Sequence, residues 1–237
     1  YAAAREAVVV RERQLNQEHE DLLGLQDQTE AKQQSVETLL AQKNQELKNF
    51  ESQIHRAQGQ ISEYERDIQA QEERVRKLEE EIKRKEEEAR RAAEAAGKVY
   101  NNVSLGDIRF IWPCPASSRV TSGFGGRNSP IEGASANHQG IDIGAASGSS
   151  VLAAASGTVV ISTYSYSAGN YLMINHGGGV YTVYMHCSQL LASEGQSVIQ
   201  GQTIAKVGST GYSTGPHLHF GIRANGQYVN PANYVSP

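Results

Sequence analysis

His217 and His219 stand two residues apart in Gly215-Pro216-His217-Leu218-His219-Phe220, inside an apolar run near the C-terminus. Two imidazoles at that spacing can hold a metal, move protons or simply occupy a strand. The choice depends on what else the chain can bring to the same place. Five of the seven histidines (His138, His176, His186, His217 and His219) lie beyond residue 100, in company with only four carboxylates: Asp107, Glu132, Asp142 and Glu194. One of those four follows a histidine by four positions, in His138-Gln139-Gly140-Ile141-Asp142. Positions i and i+4 share a face on a strand as well as on a helix, so His138 and Asp142 aim the same way in either. Gly140 and the glycines that follow favour strand or loop.

If residues 217–223 form a strand, His217 and His219 share one face and Leu218 and Phe220 pack on the other. Tyr184-Met185-His186 ends a second strand, with Tyr184 and His186 expected on a common face. His176, in an Asn-His-Gly-Gly-Gly run, is expected in a turn and is set aside as a surface or satisfied imidazole. Neutral imidazoles with one carboxylate suit Zn²⁺, whose catalytic sites keep three protein ligands and one open position. His138, Asp142 and one of the pair His217 and His219 would fill such a site. Ligand counting decides neither which of the two binds nor what His186 does.

These residues must be positioned by a domain unlike the rest of the chain. Residues 1–100 hold 17 of the 22 Lys and Arg and 22 of the 26 Asp and Glu, with three glycines and no proline; residues 101–237 hold 20 glycines and all six prolines. Short apolar runs rich in Val, Ile, Tyr and Thr, broken by Gly, Asn and Ser, mark this second region as an all-β, mostly antiparallel domain. The expected boundaries are a coiled-coil region at 1–100, a linker at 101–112 and the β domain at 113–237. Within residues 1–100, a single heptad frame places Leu40, Leu47, Ile54, Ile61, Ile68, Val75, Ile82 and Ala89 at a, and Val36, Phe50, Tyr64, Leu78 and Ala92 among the d positions. That repeat, flanked by charges, predicts a long coiled-coil helix; residues 36–92 would extend roughly 85 Å. The frame decays upstream, and the stretch around Gly24 (24–30) is the expected hinge. The seam is expected to pair with sequence upstream of Tyr1 or, by self-association, with another copy. His19 and His55 are expected to be exposed.

Neither region carries the basic surplus that phosphate-backbone binding requires, so a nucleic-acid role is not expected. No run of eighteen apolar residues is present. The Ser, Gly, Thr, Asn and Tyr-rich second region fits an exported domain, and since the chain begins at Tyr1 an export signal would already be removed. Cys114 and Cys187 permit one disulfide, with reduced core cysteines as the alternative.

Several spaced motifs in one order carry a resemblance over about residues 110–235: Trp112-Pro113, Ser122-Gly123-Phe124-Gly125 with Arg127, the His138 to Asp142 run, the Gly157 to Val160 hairpin, Tyr184-Met185-His186, the Gly201 to Gly211 run and Ser213 to Phe220. This region resembles the lysostaphin/LytM-type zinc metallopeptidases. The resemblance implies one Zn²⁺ on His138, Asp142 and His219, with His186 and His217 as the two other active-site histidines. It implies hydrolysis of peptide bonds in the stem peptide or cross-bridge of bacterial peptidoglycan, and hence a place outside the cytoplasmic membrane. Two departures stand out: Gly221 where the family often has an acidic residue, and cysteines where apolar residues are more usual. A coiled coil joined to such an enzyme resembles division-associated hydrolases controlled by a membrane transporter complex, which implies that the helix regulates or localises the enzyme. The alternative is a non-catalytic LytM-like activator of another cell-wall hydrolase.

Overall fold

The structure, a computed structural model, describes residues 2–100, 103–126 and 137–237. Arg127 and Glu132 lie outside the described residues. The chain divides into two compact units, Tyr1–Gln60 and Ile61–Pro237.

In the first unit the backbone is helical throughout the described residues, as part of α1 (Ala2–Ala95). The helix runs without interruption through residues 24–30, the expected hinge. A single interior glycine costs a helix only about 1 kcal/mol relative to alanine, too little to interrupt a run of good helix formers. The apolar a and d side chains here, among them Val36, Leu40, Leu47, Phe50 and Ile54, are exposed. His19 and His55 are exposed as expected.

The second unit holds residues 61–95 of α1 together with the β domain. The strands are Val120–Ser122 (β1), Gly125–Gly126 (β2), Asn137–His138 (β3), Ile141–Gly144 (β4), Ser150–Leu152 (β5), Gly157–Ser165 (β6) and Gly169–Gly177 (β7). They continue with Val180–Cys187 (β8), Gln189–Leu190 (β9), Ser197–Val198 (β10), Thr203–Lys206 (β11), His217–Ala224 (β12) and Gln227–Val229 (β13). The main sheet runs β1-β4-β12-β8-β7-β6-β10, with β13 also paired to β12, and every pairing is antiparallel.

Alternation along these strands gives the sheet two apolar faces. One face, with Ile141, Ile143, Leu172, Ile174, Tyr184, Leu218, Phe220 and Ile222, packs against Val151, Ile204 and Ala205 of the small β5-β11-β9 sheet. Leu105, Phe110 and Trp112 join this core, and Ile111 N–H bonds the Ala154 carbonyl at 2.9 Å. Residues 103–112, expected as a linker, are therefore docked, because their aromatic and aliphatic side chains find apolar cover. The opposite face carries Ile161, Tyr171, Met173, Tyr181 and Val183, and Val75, Leu78 and Ile82 of α1 pack on it. The heptad seam was expected to meet another helix. Over residues 75–82 it meets a β-sheet, since an a/d stripe specifies an apolar surface and not the nature of its partner.

Polar contacts fix the helix along this face. The Asp67 carboxylate accepts from the Ser167 N–H at 3.0 Å and the Ser167 hydroxyl at 2.9 Å. Arg223 makes a two-pronged ion pair with Glu79, one prong at 3.1 Å, with both side chains mostly buried. The Tyr64 ring lies 4.5 Å from that of Tyr212.

Candidate metal centre and active site

The face that receives the helix also holds the histidines. Along β12, Leu218, Phe220 and Ile222 fill the core, which turns His217, His219 and Arg223 to the opposite side. His219 pairs in register with Asp142 of β4, so backbone hydrogen bonding across two strands brings the carboxylate beside the imidazole. β3 delivers His138 next to them.

The three donor atoms converge closely. His138 Nε2 lies 3.1 Å from Asp142 Oδ1, His219 Nδ1 lies 3.0 Å from the same oxygen, and the two nitrogens are 2.9 Å apart. Ligands at ~2.0–2.1 Å on a tetrahedral Zn²⁺ would stand about 3.3 Å from one another. The cluster thus needs only a small expansion to hold the ion. All three side chains are buried. His138 Nδ1 is 2.6 Å from the Gly123 carbonyl, which fixes the N–H there and leaves Nε2 as a lone-pair donor toward the cluster. Gly140 is required by this packing: a Cβ there would meet the Phe220 carbonyl at 2.5 Å and His219 Nε2 at 2.7 Å. Burial opposes ionisation of Asp142, but its hydrogen bonds to His138 and His219 prevail and hold the carboxyl well below the usual carboxylate range. Burial pushes the His219 pKa down despite the Asp142 contact, so the ring is neutral and able to ligate.

The other two histidines flank the cluster without joining it. His217 Nδ1 is held by the Gly215 carbonyl at 2.8 Å, and its Nε2 lies 3.6 Å from Asp142 Oδ1. His186 Nδ1 bonds the Thr210 carbonyl at 2.9 Å, which leaves Nε2 as the free nitrogen. The two rings lie 4.8 Å apart between centroids. Burial, and then the neighbouring His219 and His217, push the His186 pKa down to about 3, so this ring is a neutral base at ordinary pH.

His186 departs from the expected strand alternation. Its φ is 65°, a left-handed value rare for a non-glycine residue, and the β7–β8 register slips between the Asn170–Cys187 and Leu172–Tyr184 pairs. This bulge sends Met185 and His186 to the cleft, while Tyr184 and Cys187 enter the core. Tyr184 is therefore not on His186's face; its hydroxyl accepts from the Ala154 N–H at 2.8 Å. Cys187 points away from the histidines as its adjacency to His186 suggested. Both cysteines are free and buried in the same core. Burial pushes the Cys187 thiol up to about 12, which removes it as a nucleophile.

His176 belongs to β7 and not to a turn. Its Nδ1 lies 2.8 Å from the Ser156 carbonyl and its Nε2 2.8 Å from the Thr182 hydroxyl, a closed structural set. Gly221 lies under Tyr228: a Cβ there would meet the Tyr228 ring and the Gln139 carbonyl, each at 3.2 Å.

Around the cluster opens a cleft of about 1010 Å³, lined by His138, Asp142, His186, His217 and His219, by Met185 and Tyr212, and by Ile68, Gln71, Glu72 and Val75 of α1. The helical wall has no counterpart in the sequence pattern, because nothing local marks a helix as part of a distant site.

Three buried donor atoms close enough to hold one metal ion lie beside two further imidazoles turned to the same cleft. Residues 136–231 match peptidase family M23. It is similar to a metalloprotease of Haemophilus influenzae, 41% identical over 147 residues, covering 60% of this chain and 31% of that protein. It is 44% identical over 120 residues to the DD-carboxypeptidase/endopeptidase Mpg of Neisseria meningitidis serogroup B, covering 51% of this chain and 28% of that one. It is 40% identical over 120 residues to the peptidoglycan DD-endopeptidase ShyC of Vibrio cholerae, covering 50% and 28%. The chain thus matches only about a third of the length of these relatives.

Proposed function

We propose that this protein hydrolyses peptide bonds of bacterial peptidoglycan, in the stem peptide or cross-bridge, with one Zn²⁺ held by His138, Asp142 and His219. The observation that carries this reading is the convergence of three buried donor atoms within 3.1 Å of one another, beside two imidazoles whose free nitrogens serve the same cleft. Bound zinc supplies Lewis acidity, polarising a carbonyl and lowering the pKa of water toward about 7. His186 and His217 supply the proton handling. Their Nδ1 atoms are committed to backbone carbonyls, so each acts through Nε2. Neutral Nε2 accepts a proton from the attacking water; protonated Nε2 donates to the developing oxyanion or to the leaving amine. The two histidines share these tasks. His138 and Asp142 take no proton in this scheme, and Thr210 and Gly215 hold the two imidazoles in the required tautomer.

Such a substrate lies outside the cytoplasmic membrane, and the enzyme with it. The helical wall of the cleft supports a regulatory role for α1, with a membrane transporter-type division complex as the partner that would act on it. The direct test is digestion of purified peptidoglycan by the full chain. Release of new amine termini that stops with a chelator and returns with zinc is expected. Zinc binding without any cleavage would favour the non-catalytic activator instead.

A further inference from the structure

Among the described residues, four ionised side chains line the cleft: Glu72, Arg119, Asp142 and Arg223. Asp142 is committed to the imidazoles and Arg223 to Glu79. Among the described residues Arg119 and Glu72 have no side-chain partner, and the sheet order puts them at opposite ends. Glu72 is on the helix that covers residues of β7 and β8. Arg119 immediately precedes β1, at the far edge of the sheet.

The register gives the distance and direction of Arg119. Its carbonyl accepts from the Gly144 N–H at 3.0 Å, and Gly144 pairs with His217. Arg119, Gly144 and His217 thus form one row across three strands, which spans roughly 10 Å at ~4.8 Å per strand spacing. Val120, half-exposed at the sheet edge, pairs with Ile143, the register slips between Val120 and Ser122, and Arg119 and Thr121 on either side of Val120 both line the cleft. Between Arg119 and His217 the described lining is short: Gly144, with the Thr121 side chain against it, followed by Ala145 and Ala146. An extended peptide advances ~3.3–3.4 Å per residue, so the long arginine stem can meet a substrate group one to three residues from the reacting bond. A guanidinium in such a place matches a carboxylate with two parallel hydrogen bonds, and an amide far less well. Glu72 repels a carboxylate from the other end, which fixes the direction.

We propose that Arg119 is a specificity-determining residue that binds a free carboxylate of the substrate peptide, either its C-terminus or an acidic side chain. This rests on the reading that the peptide reacts at the His138, Asp142 and His219 cluster. The test uses the zinc-loaded full chain and one synthetic stem-type peptide in three forms: free acid, C-terminal amide, and side-chain amide. Binding is read by calorimetry and cleavage by chromatography. The free acid should bind about tenfold more tightly than one of the amides, and which amide is weakened identifies the carboxylate. Arg119→Gln should remove that preference by weakening the acid alone, and Arg119→Lys should restore some of it, at unchanged zinc content. A wild-type chain that binds all three forms equally, or an Arg119→Gln chain that keeps the preference, overturns the proposal even if cleavage occurs. A retained binding preference without cleavage leaves the subsite standing and rejects the hydrolase reading.

Discussion

At the scale of single residues, the site is a set of commitments among imidazole nitrogens. One nitrogen of each flanking histidine is spent on a backbone carbonyl, so the other has one role left. That His138, Asp142, His217 and His219 would meet was legible from type and spacing, because a period of two and a period of four both survive on a strand; the division of roles between His217 and His219 came only from the resemblance. The turn of His186 into left-handed backbone was not legible. A bulge depends on the register between two strands, which no local pattern encodes, and it reversed the expected side of Tyr184. Burial of neutral imidazoles also predicts a pH dependence of stability. His186 falls from an ordinary 6.5 to about 3 in the folded chain, and burial lowers His176 as well. Between those values the unfolded chain binds protons that the folded chain refuses, so stability falls as pH falls from about 6.5 toward 3. Urea titrations of the metal-free chain should show a lower midpoint at pH 4.5 than at pH 7. An equal or higher midpoint at pH 4.5 would contradict the assigned burial.

At the scale of elements, residues 61–95 of α1 act as a layer of the β domain. Charged and apolar residues at heptad spacing predicted the helix correctly. They did not predict that Val75, Leu78 and Ile82 would cover Tyr171, Met173 and Val183, because Leu and Val seams fit sheets and helices alike. Leu78→Asp should therefore destabilise the β domain and not only the helix, by about 2–4 kcal/mol, measurable by denaturant unfolding monitored at the domain's tyrosines. Glu79→Ala strands the Arg223 guanidinium with both partners mostly buried, and should cost on the order of 2 kcal/mol. The exposed pairs such as Lys43–Glu46 should cost nothing measurable when broken. Equal effects at the two sites would mean that the helix is not anchored through Arg223.

At the scale of the whole molecule, the helix that covers one sheet face also walls the cleft around His138, Asp142 and His219, through Ile68, Gln71, Glu72 and Val75. If α1 restrains access, weakening its polar anchor should raise turnover. Asp67→Ala, which releases Ser167, should then speed peptidoglycan cleavage several-fold without changing zinc content. Unchanged or lower rates would leave the helix as a passive wall. The central claim is the division of labour between the two histidines of Gly215-Pro216-His217-Leu218-His219-Phe220, and one measurement addresses it: zinc bound per chain, by metal analysis, in His217→Ala and His219→Ala, alongside their cleavage of peptidoglycan. His219→Ala should lose both zinc and activity, and His217→Ala should keep about one zinc while losing most turnover. Equal zinc occupancy in the two variants, or full activity in His217→Ala, would contradict it.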